Sequence, residues 1–179
     1  MPIGKESPLV MIVCTANICR SPMAAALLHH HLNQAGERSK GIRVESAGTW
    51  GVNDAPAASN ARHVMKNRGL SLEEHRSRHL TRKMVYQADL ILTMEASQKE
   101  ALQVEFPAAA AKVMMLSELC LKHEDLEDPV ERGELAFERC AEQLDEWIHC
   151  GLDRLFELLG RGANPKRSLA YFLNVDLED

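Results

Sequence analysis

The feature that most constrains this chain is the stretch Val-Cys-Thr-Ala-Asn-Ile-Cys-Arg-Ser-Pro at residues 13–22. An apolar run at residues 8–13 leads into it and predicts a buried strand. A helical pattern follows from Pro22 to about Gln34. A loop between a strand and a helix N-terminus points its backbone N–H groups at one spot, where the helix dipole also favours negative charge. The stretch therefore predicts an anion-binding loop.

The residue types in this stretch indicate that the anion is a phosphoryl group and that the loop carries a nucleophile. Arg20 offers a planar fork that matches two phosphate oxygens. Cys14 ends the strand and would lie beneath the anion, where its pKa is expected to fall from ~8.5 toward ~3.5–7.5. A thiolate beneath a bound phosphoryl group is a nucleophile. Ser21 is predicted to cap the helix and to donate to the Cys14 sulfur, with Pro22 at the first helical position. Asn17 tolerates the left-handed backbone of a tight loop.

Strand and helix patterns alternate along the rest of the chain, and this alternation predicts a parallel sheet with helices on both faces. A long apolar helical stripe from Phe137 to Leu159 would cover one face. In such sheets a ligand binds beyond the carboxyl ends of the strands, which is where the Cys14 loop lies. We expect one α/β domain, with strands at 8–13, 42–46, 89–93 and 112–116 and domain bounds of 8–160, after a polar leader at 1–7 and before a tail at 161–179.

Composition narrows the partners and the compartment. The 179 residues carry a net charge of −5, which argues against nucleic acid or an anionic membrane as a partner. No apolar run approaches the ~20 residues of a membrane-spanning helix. The five cysteines are odd in number and scattered, so they form no disulfide framework and indicate a reducing compartment. We therefore expect a cytoplasmic protein that does not insert into membranes.

Hydrolysis through a thiolate also needs a group that protonates the leaving oxygen and later activates water, and one carboxyl group can do both. The acidic loop at residues 121–133 carries several candidates. Asp128 stands out because Pro129 follows it and stiffens the backbone. From the residues alone, the other carboxyl groups of the loop remain open as alternatives: Glu124, Asp125, Glu127 and Glu131.

The stretch at 13–22 resembles the signature of the low-molecular-weight protein tyrosine phosphatases, and the resemblance covers roughly residues 8–159. It implies a four-stranded parallel sheet in the order 2-1-3-4 and hydrolysis of protein phosphotyrosine through a phosphocysteine, with no cofactor and no metal. It also implies that Cys14 is the nucleophile, Arg20 the phosphate ligand and Asp128 the general acid. The remaining phosphate-binding positions that it implies are Thr15, Ala16, Asn17, Ile18, Cys19 and Ser21.

Further roles follow from the resemblance alone. Ser46 and His75 match the positions that brace Asn17 in the family. Cys19 matches a partner that can form a reversible disulfide with the nucleophile. Trp50, in the loop after the second strand, would supply one wall of the pocket.

The chain also departs from the family pattern. Val130-Glu131 follow Asp128-Pro129 where the family usually has aromatic residues, so part of an aromatic wall is missing. Met94-Glu95 stands where the family often has Met-Asp.

Three other functions remain open. A phosphoarginine phosphatase of the same family carries Thr where Ile18 stands here, and the branched apolar residue favours phosphotyrosine. An arsenate reductase of the same fold needs a further pair of closely spaced cysteines, which the region around 89–93 lacks. A non-catalytic oxyanion-binding module is disfavoured by the complete set Cys14, Arg20 and Asp128.

We expect a phosphotyrosine protein as substrate, with a tyrosine kinase as one candidate, and a monomer or weak dimer. The run His29-His30-His31 predicts no metal site, because consecutive helical residues point in different directions.

Overall fold

A computed structural model describes residues 7–162, so the predicted leader and tail lie outside the described residues except for residues 7, 161 and 162. Its centre is a sheet of four parallel strands in the order β2-β1-β3-β4, which confirms the predicted fold class and strand order. The strands are β1 (Leu9–Cys14), β2 (Arg43–Gly48), β3 (Leu90–Thr93) and β4 (Val113–Met115).

Strand β1 is central, and all six of its residues are buried. Its uninterrupted apolar sequence suits a strand that is covered on both faces. Val10 aligns with Val44 of β2 on one side and with Leu90 of β3 on the other. Because the chain reaches these neighbours in opposite directions, the carboxyl end of β1, at Cys14, is the position where open parallel sheets bind ligands.

Among the described residues, five α-helices cover the sheet: α1 (Arg20–Gln34), α2 (Ser59–Asn67), α3 (Arg82–Gln87), α4 (Ala96–Glu105) and α5 (Glu134–Leu158). Alternate residues of β1 point to opposite faces. Val10 and Ile12 pack in the cluster that holds the apolar sides of α1, α2 and α5. Met11 and Val13 pack in a second cluster, with α3 and α4. In residues 7–162, no helix has the length and apolar character needed to cross a membrane.

The predicted cap of α1 is wrong. The helix begins at Arg20, with Cys19 at its N-cap and no side-chain capping bond, so Ser21 and Pro22 lie inside the first turn. The physical reason is that the Ser21 hydroxyl is engaged elsewhere, by the sulfur of Cys14 and the amide of Asn17. The first helical turn therefore belongs to the anion loop rather than merely following it.

Helix α5 packs closely against the short 3-10 helix Leu116–Cys120, which leads into the acidic loop. A Cβ atom added at Gly151 would overlap Cβ of Leu119 and lie 3.1 Å from its carbonyl carbon. The absence of a side chain at Gly151 thus sets how closely α5 approaches the segment that carries the acidic loop.

We predict that Gly151→Ala lowers the free energy of unfolding by about 1–3 kcal/mol, because overpacking outweighs the better helix propensity of alanine. Urea denaturation measures this change. Glu142→Ala, at an exposed position of the same helix, is the control and should stay within about 0.5 kcal/mol of the parent. Equal stability of the two variants would contradict this account of the α5 contact.

Candidate active site

The sulfur of Cys14 lies at the carboxyl end of β1, next to hydrogen-bonding groups of the anion loop and of α1. Its side chain is buried, with Sγ 3.0 Å from the hydroxyl of Ser21. The backbone N–H of Asn17 donates to the same sulfur over 3.3 Å. Both groups can donate to the sulfur, so the sulfur has two hydrogen-bond partners within the anion loop and the first turn of α1.

Asn17 holds the loop in shape. It is fully buried and has a positive φ of 58°, a left-handed conformation that Asn tolerates better than most residues. Its Nδ2 donates to the hydroxyls of Ser21 and Ser46, each over 2.9 Å. Its Oδ1 accepts the backbone N–H of Arg78 over 3.0 Å. The structure therefore brings Asn17 and Ser46 together, as the resemblance implies.

His75 reaches the same loop from the segment after α2. Its Nε2 lies 2.7 Å from the carbonyl oxygen of Asn17. A carbonyl only accepts, so Nε2 carries the proton. Burial lowers the pKa of His75, as do the charges of Arg78 and Arg76, while the hydrogen bond to Asn17 partly opposes them. A neutral ring is enough to make this bond.

Strand β2 and the loop after it pack directly against the anion loop. Thr49 N–H donates to the carbonyl of Cys14 over 2.9 Å, and Trp50 N–H donates to that of Thr15 over 2.8 Å. A Cβ atom at Gly48 would lie only 2.5 Å from the Thr15 carbonyl oxygen. The side chain of Trp50 is 76% exposed beside the loop, so it takes no part in the core.

Arg20 joins the anion loop to the acidic loop. Its buried guanidinium donates through Nη1 to Glu95 and, over 2.8 Å, to the carbonyl of Leu126. Its Nη2 donates to Asp128 Oδ2 over 2.7 Å. Burial alone would lower the pKa of Arg20, but its hydrogen bond to Glu95 and the charges of Asp128, Cys14 and Glu95 raise it. The Nε of Arg20 is buried without a partner among the described residues, so it is a free donor for an anion.

The carboxyl groups of the acidic loop have different partners. Asp125 accepts the backbone N–H of Ala96 over 2.7 Å, and Glu127 pairs with Arg132 at the surface. Asp128 is the loop carboxylate that reaches Arg20. Of the alternatives left open by the sequence, this geometry favours Asp128.

The other residues predicted for the loop line it in different ways. Burial, with the charges of Asp128 and Cys14, raises the pKa of the Cys19 thiol to about 12, although Arg20 opposes the shift. Cys19 is therefore a neutral thiol near pH 7, and its disulfide with Cys14 stays a prediction. Ile18 is half-buried against the core, and its carbonyl accepts the N–H of Ala58 over 2.8 Å. Val130 is 46% exposed where the family usually has an aromatic residue.

Two contributors were missed by the sequence reasoning. Arg78 donates its N–H to Asn17 and its Nε to the carbonyl of Ser46. Gln98 donates to Thr15 from the first turn of α4. Neither residue belongs to a recognisable functional motif. Gln98 follows Glu95 by three residues, which is the spacing of a capping box, and this spacing could have predicted the contact of Gln98 with Glu95 but not its contact with Thr15.

Taken together, the site has a sulfur with two donors, a guanidinium with one free N–H, and a carboxyl group at the mouth. The guanidinium can bind a tetrahedral oxyanion, the sulfur can attack its central atom, and the carboxyl group can exchange a proton with a leaving oxygen. Within residues 7–162, no group of His, Cys, Asp or Glu side chains is arranged to hold a metal ion.

Comparisons with known proteins give one consistent family. The family model "Low molecular weight phosphotyrosine protein phosphatase" matches residues 9–159. The probable low molecular weight protein-tyrosine-phosphatase EpsP of Ralstonia nicotianae is 36% identical over 146 residues, which are 82% of this chain and 94% of that protein. A protein-arginine-phosphatase of Geobacillus stearothermophilus is 31% identical over 151 residues, 84% of this chain and 95% of that one.

The same likeness appears in three dimensions. The crystal structure of a low molecular weight protein tyrosine phosphatase from T. tengcongensis has a TM-score of 0.77 and 32% identity, and covers 83% of this chain and 99% of that one.

We predict that Gly48→Ala weakens the binding of inorganic phosphate by about tenfold or more, because the added Cβ displaces the carbonyl of Thr15 and distorts the loop. Calorimetric titration with phosphate measures the dissociation constant. Gly36→Ala is the control: Gly36 has a φ of +64° and no atom within 4 Å of an added Cβ. That variant should lose stability but keep its phosphate affinity, and equal affinities in both variants would contradict the close approach at Gly48.

Proposed function

The chain belongs to the low molecular weight phosphotyrosine protein phosphatase family, and we propose that it hydrolyses phosphotyrosine on proteins through a phosphocysteine formed on Cys14. The observation that carries this proposal is the surroundings of the Cys14 sulfur, with donors at 3.0 and 3.3 Å and the anion loop above it. The free Nε of Arg20 adds a donor for the phosphoryl oxygens.

The proposed reaction has two displacements at phosphorus. In the first, Cys14 Sγ attacks, the bond from phosphorus to the tyrosyl oxygen breaks, and Asp128 donates a proton to that oxygen. In the second, water attacks phosphorus, Asp128 accepts the proton of the water, and the sulfur leaves as a thiolate. Arg20 and the N–H groups of the loop hold the three equatorial oxygens throughout.

Arg20 must change partners during this cycle. Its Nη2 now holds Asp128, while its Nη1 holds Glu95. A phosphoryl oxygen bound at Nη2 takes the place of the Asp128 carboxylate, which then moves toward the leaving oxygen. Glu95 keeps the guanidinium in orientation, because it is anchored at the start of α4. In this proposal Asp128 competes with the oxyanion for Arg20 Nη2 and is also the proton donor to the leaving oxygen.

The choice between phosphotyrosine and phosphoarginine is set, in this proposal, at the mouth of the pocket. Ile18 narrows the loop side with a branched apolar residue, and the exposed indole of Trp50 offers a flat wall for a ring. Hydrolysis of phosphoarginine is the second candidate, because a relative at 31% identity bears that activity in its name.

The partners follow from the same reasoning. Membership of the family implies phosphoprotein substrates, and we propose an autophosphorylated tyrosine kinase as one of them. All five cysteines are free, in line with a reducing compartment such as the cytoplasm. We propose that the protein acts as a monomer or weak dimer, which sedimentation velocity tests.

The substrate proposal predicts a shift in specificity for Ile18→Thr. The parent should hydrolyse a phosphotyrosine peptide well above phosphoserine and phosphoarginine peptides, and the variant should gain phosphoarginine activity relative to phosphotyrosine, because a shorter polar side chain opens the loop side. Ratios of kcat/KM measure this. A parent with no phosphotyrosine activity would refute the proposed function, and an unchanged ratio would refute the role of Ile18.

The exchange at Arg20 predicts two opposite effects of Asp128→Asn. Turnover of substrates with poor leaving groups should fall by about 100-fold or more, because the proton donor is lost. Inorganic phosphate should bind about three- to tenfold more tightly, because a competing charge is lost.

Glu127→Gln removes the same charge one residue away, where Glu127 is exposed and pairs with Arg132. This control should leave both quantities near the parent values. If both variants tighten phosphate binding equally, the effect is general electrostatics and Asp128 does not compete for Arg20.

A further inference from the structure

The side chain of Gln98 contacts the anion loop at Thr15 without belonging to the loop. Gln98 sits in the first turn of α4 and is 6% exposed. Its Oε1 lies 3.0 Å from the backbone nitrogen of Met94 and 3.2 Å from that of Glu95. Its Nε2 lies 3.2 Å from Thr15 Oγ1. One buried amide therefore connects the end of β3 to the residue that follows the nucleophile.

The chemistry of these partners fixes which way the amide faces. Backbone N–H groups only donate, so the atom near Met94 and Glu95 has to be the carbonyl oxygen. The NH₂ group then faces Thr15. Because an amide nitrogen only donates, Thr15 Oγ1 has to accept from Gln98.

Because the Thr15 oxygen accepts the hydrogen bond from Gln98, the hydrogen of the Thr15 hydroxyl is not used in that bond and can be donated to another group. A hydroxyl has two lone pairs and one hydrogen. Gln98 Nε2 uses one lone pair, and Arg20 Nη2, 3.5 Å away, faces the other. The hydrogen of the Thr15 hydroxyl is then available for a third group, and an oxyanion bound in the loop is the acceptor that the proposed function supplies.

Gln98 also acts on Glu95, the carboxylate that orients Arg20. Its backbone N–H donates to the Glu95 side chain, while its own amide oxygen accepts the Glu95 backbone N–H. These reciprocal bonds fix both ends of Glu95 at the start of α4. These bonds with Gln98 therefore fix the position of the Glu95 carboxylate that pairs with Arg20 Nη1.

We propose that Gln98 is a positioning residue of the phosphatase reaction, which orients the Thr15 hydroxyl as an oxyanion donor and fixes Glu95 against Arg20. This inference rests on the proposed function for its chemistry. It adds a residue that contacts neither the substrate nor the nucleophile, yet controls two groups that do the binding.

The test compares two glutamines of the same helix. Gln98→Met keeps the length and removes both hydrogen-bonding functions. Gln103→Met is the matched control, because Gln103 Nε2 donates to the carbonyls of Ala110 and Val113 at the far end of α4. We expect Gln98→Met to weaken phosphate binding and to lower kcat/KM for a phosphotyrosine peptide by about tenfold each. Gln103→Met should lower the melting temperature and leave both quantities unchanged.

Two further variants separate positioning from folding. Thr15→Val should reproduce the loss of phosphate affinity, and Thr15→Ser, which keeps the hydroxyl, should restore most of it. In the Thr15→Val background, Gln98→Met should reduce phosphate affinity clearly less than it does in the parent, because the hydrogen bond between the two side chains is already absent.

The outcomes discriminate between the two claims. If Gln98→Met weakens phosphate binding no more than Gln103→Met at equal stability, or if its effect adds fully to that of Thr15→Val, the role of Gln98 is overturned. Phosphate affinity is measured without turnover, so it tests Gln98 even in an enzyme that failed to cleave phosphotyrosine. Such a failure would overturn the proposed function instead.

Discussion

The buried guanidinium of Arg20 is the interaction on which the rest of the site depends. It contacts three segments that are far apart in the sequence: the anion loop at Thr15, the start of α4 at Glu95, and the acidic loop at Leu126 and Asp128. A buried cation is costly unless it is paired and hydrogen-bonded. Two carboxylates and a carbonyl supply that pairing, and the same requirement holds Asp128 next to the guanidinium of Arg20. The free Nε then leaves one direction open for an anion.

The loop around Cys14 is rigid for a different reason. Asn17 adopts a left-handed backbone and uses its whole amide on Ser21, Ser46 and the N–H of Arg78. An anion loop must hold its N–H groups in place before the ligand arrives, since donors that need no reorganisation stabilise developing charge best. His75 and Arg78, which lie between β2 and α3, serve this purpose through their hydrogen bonds to Asn17.

Local signals in the sequence predicted an α/β fold with a parallel sheet and a candidate site at Cys14, and the resemblance to the family implied the strand order 2-1-3-4, which the structure confirms. The apolar run at β1 and the loop composition at 13–22 predict a strand, an anion site and a nucleophile without any long-range information. The helix cap at Ser21 was wrong because its hydroxyl serves a partner seven residues back, which local capping preferences do not represent. Arg78 and the contact of Gln98 with Thr15 act across the fold, so no pattern of neighbours could assign them, whereas the capping-box spacing of Glu95 and Gln98 is a local signal. Pro129 and the family resemblance already favoured Asp128 in the sequence, and the contact with Arg20 adds a reason that only the structure gives.

The central claim is that Cys14 carries the phosphoryl group during turnover. Acid quenching of the Asp128→Asn variant during hydrolysis of a phosphotyrosine peptide, followed by digestion and mass spectrometry, measures this directly. The account predicts a phosphoryl group on the peptide that contains Cys14, at Cys14 itself, and none on a thiol in the Cys14→Ser variant. A phosphoryl group on Cys19 or His75, or catalytic turnover by Cys14→Ser at the parent rate, would contradict it.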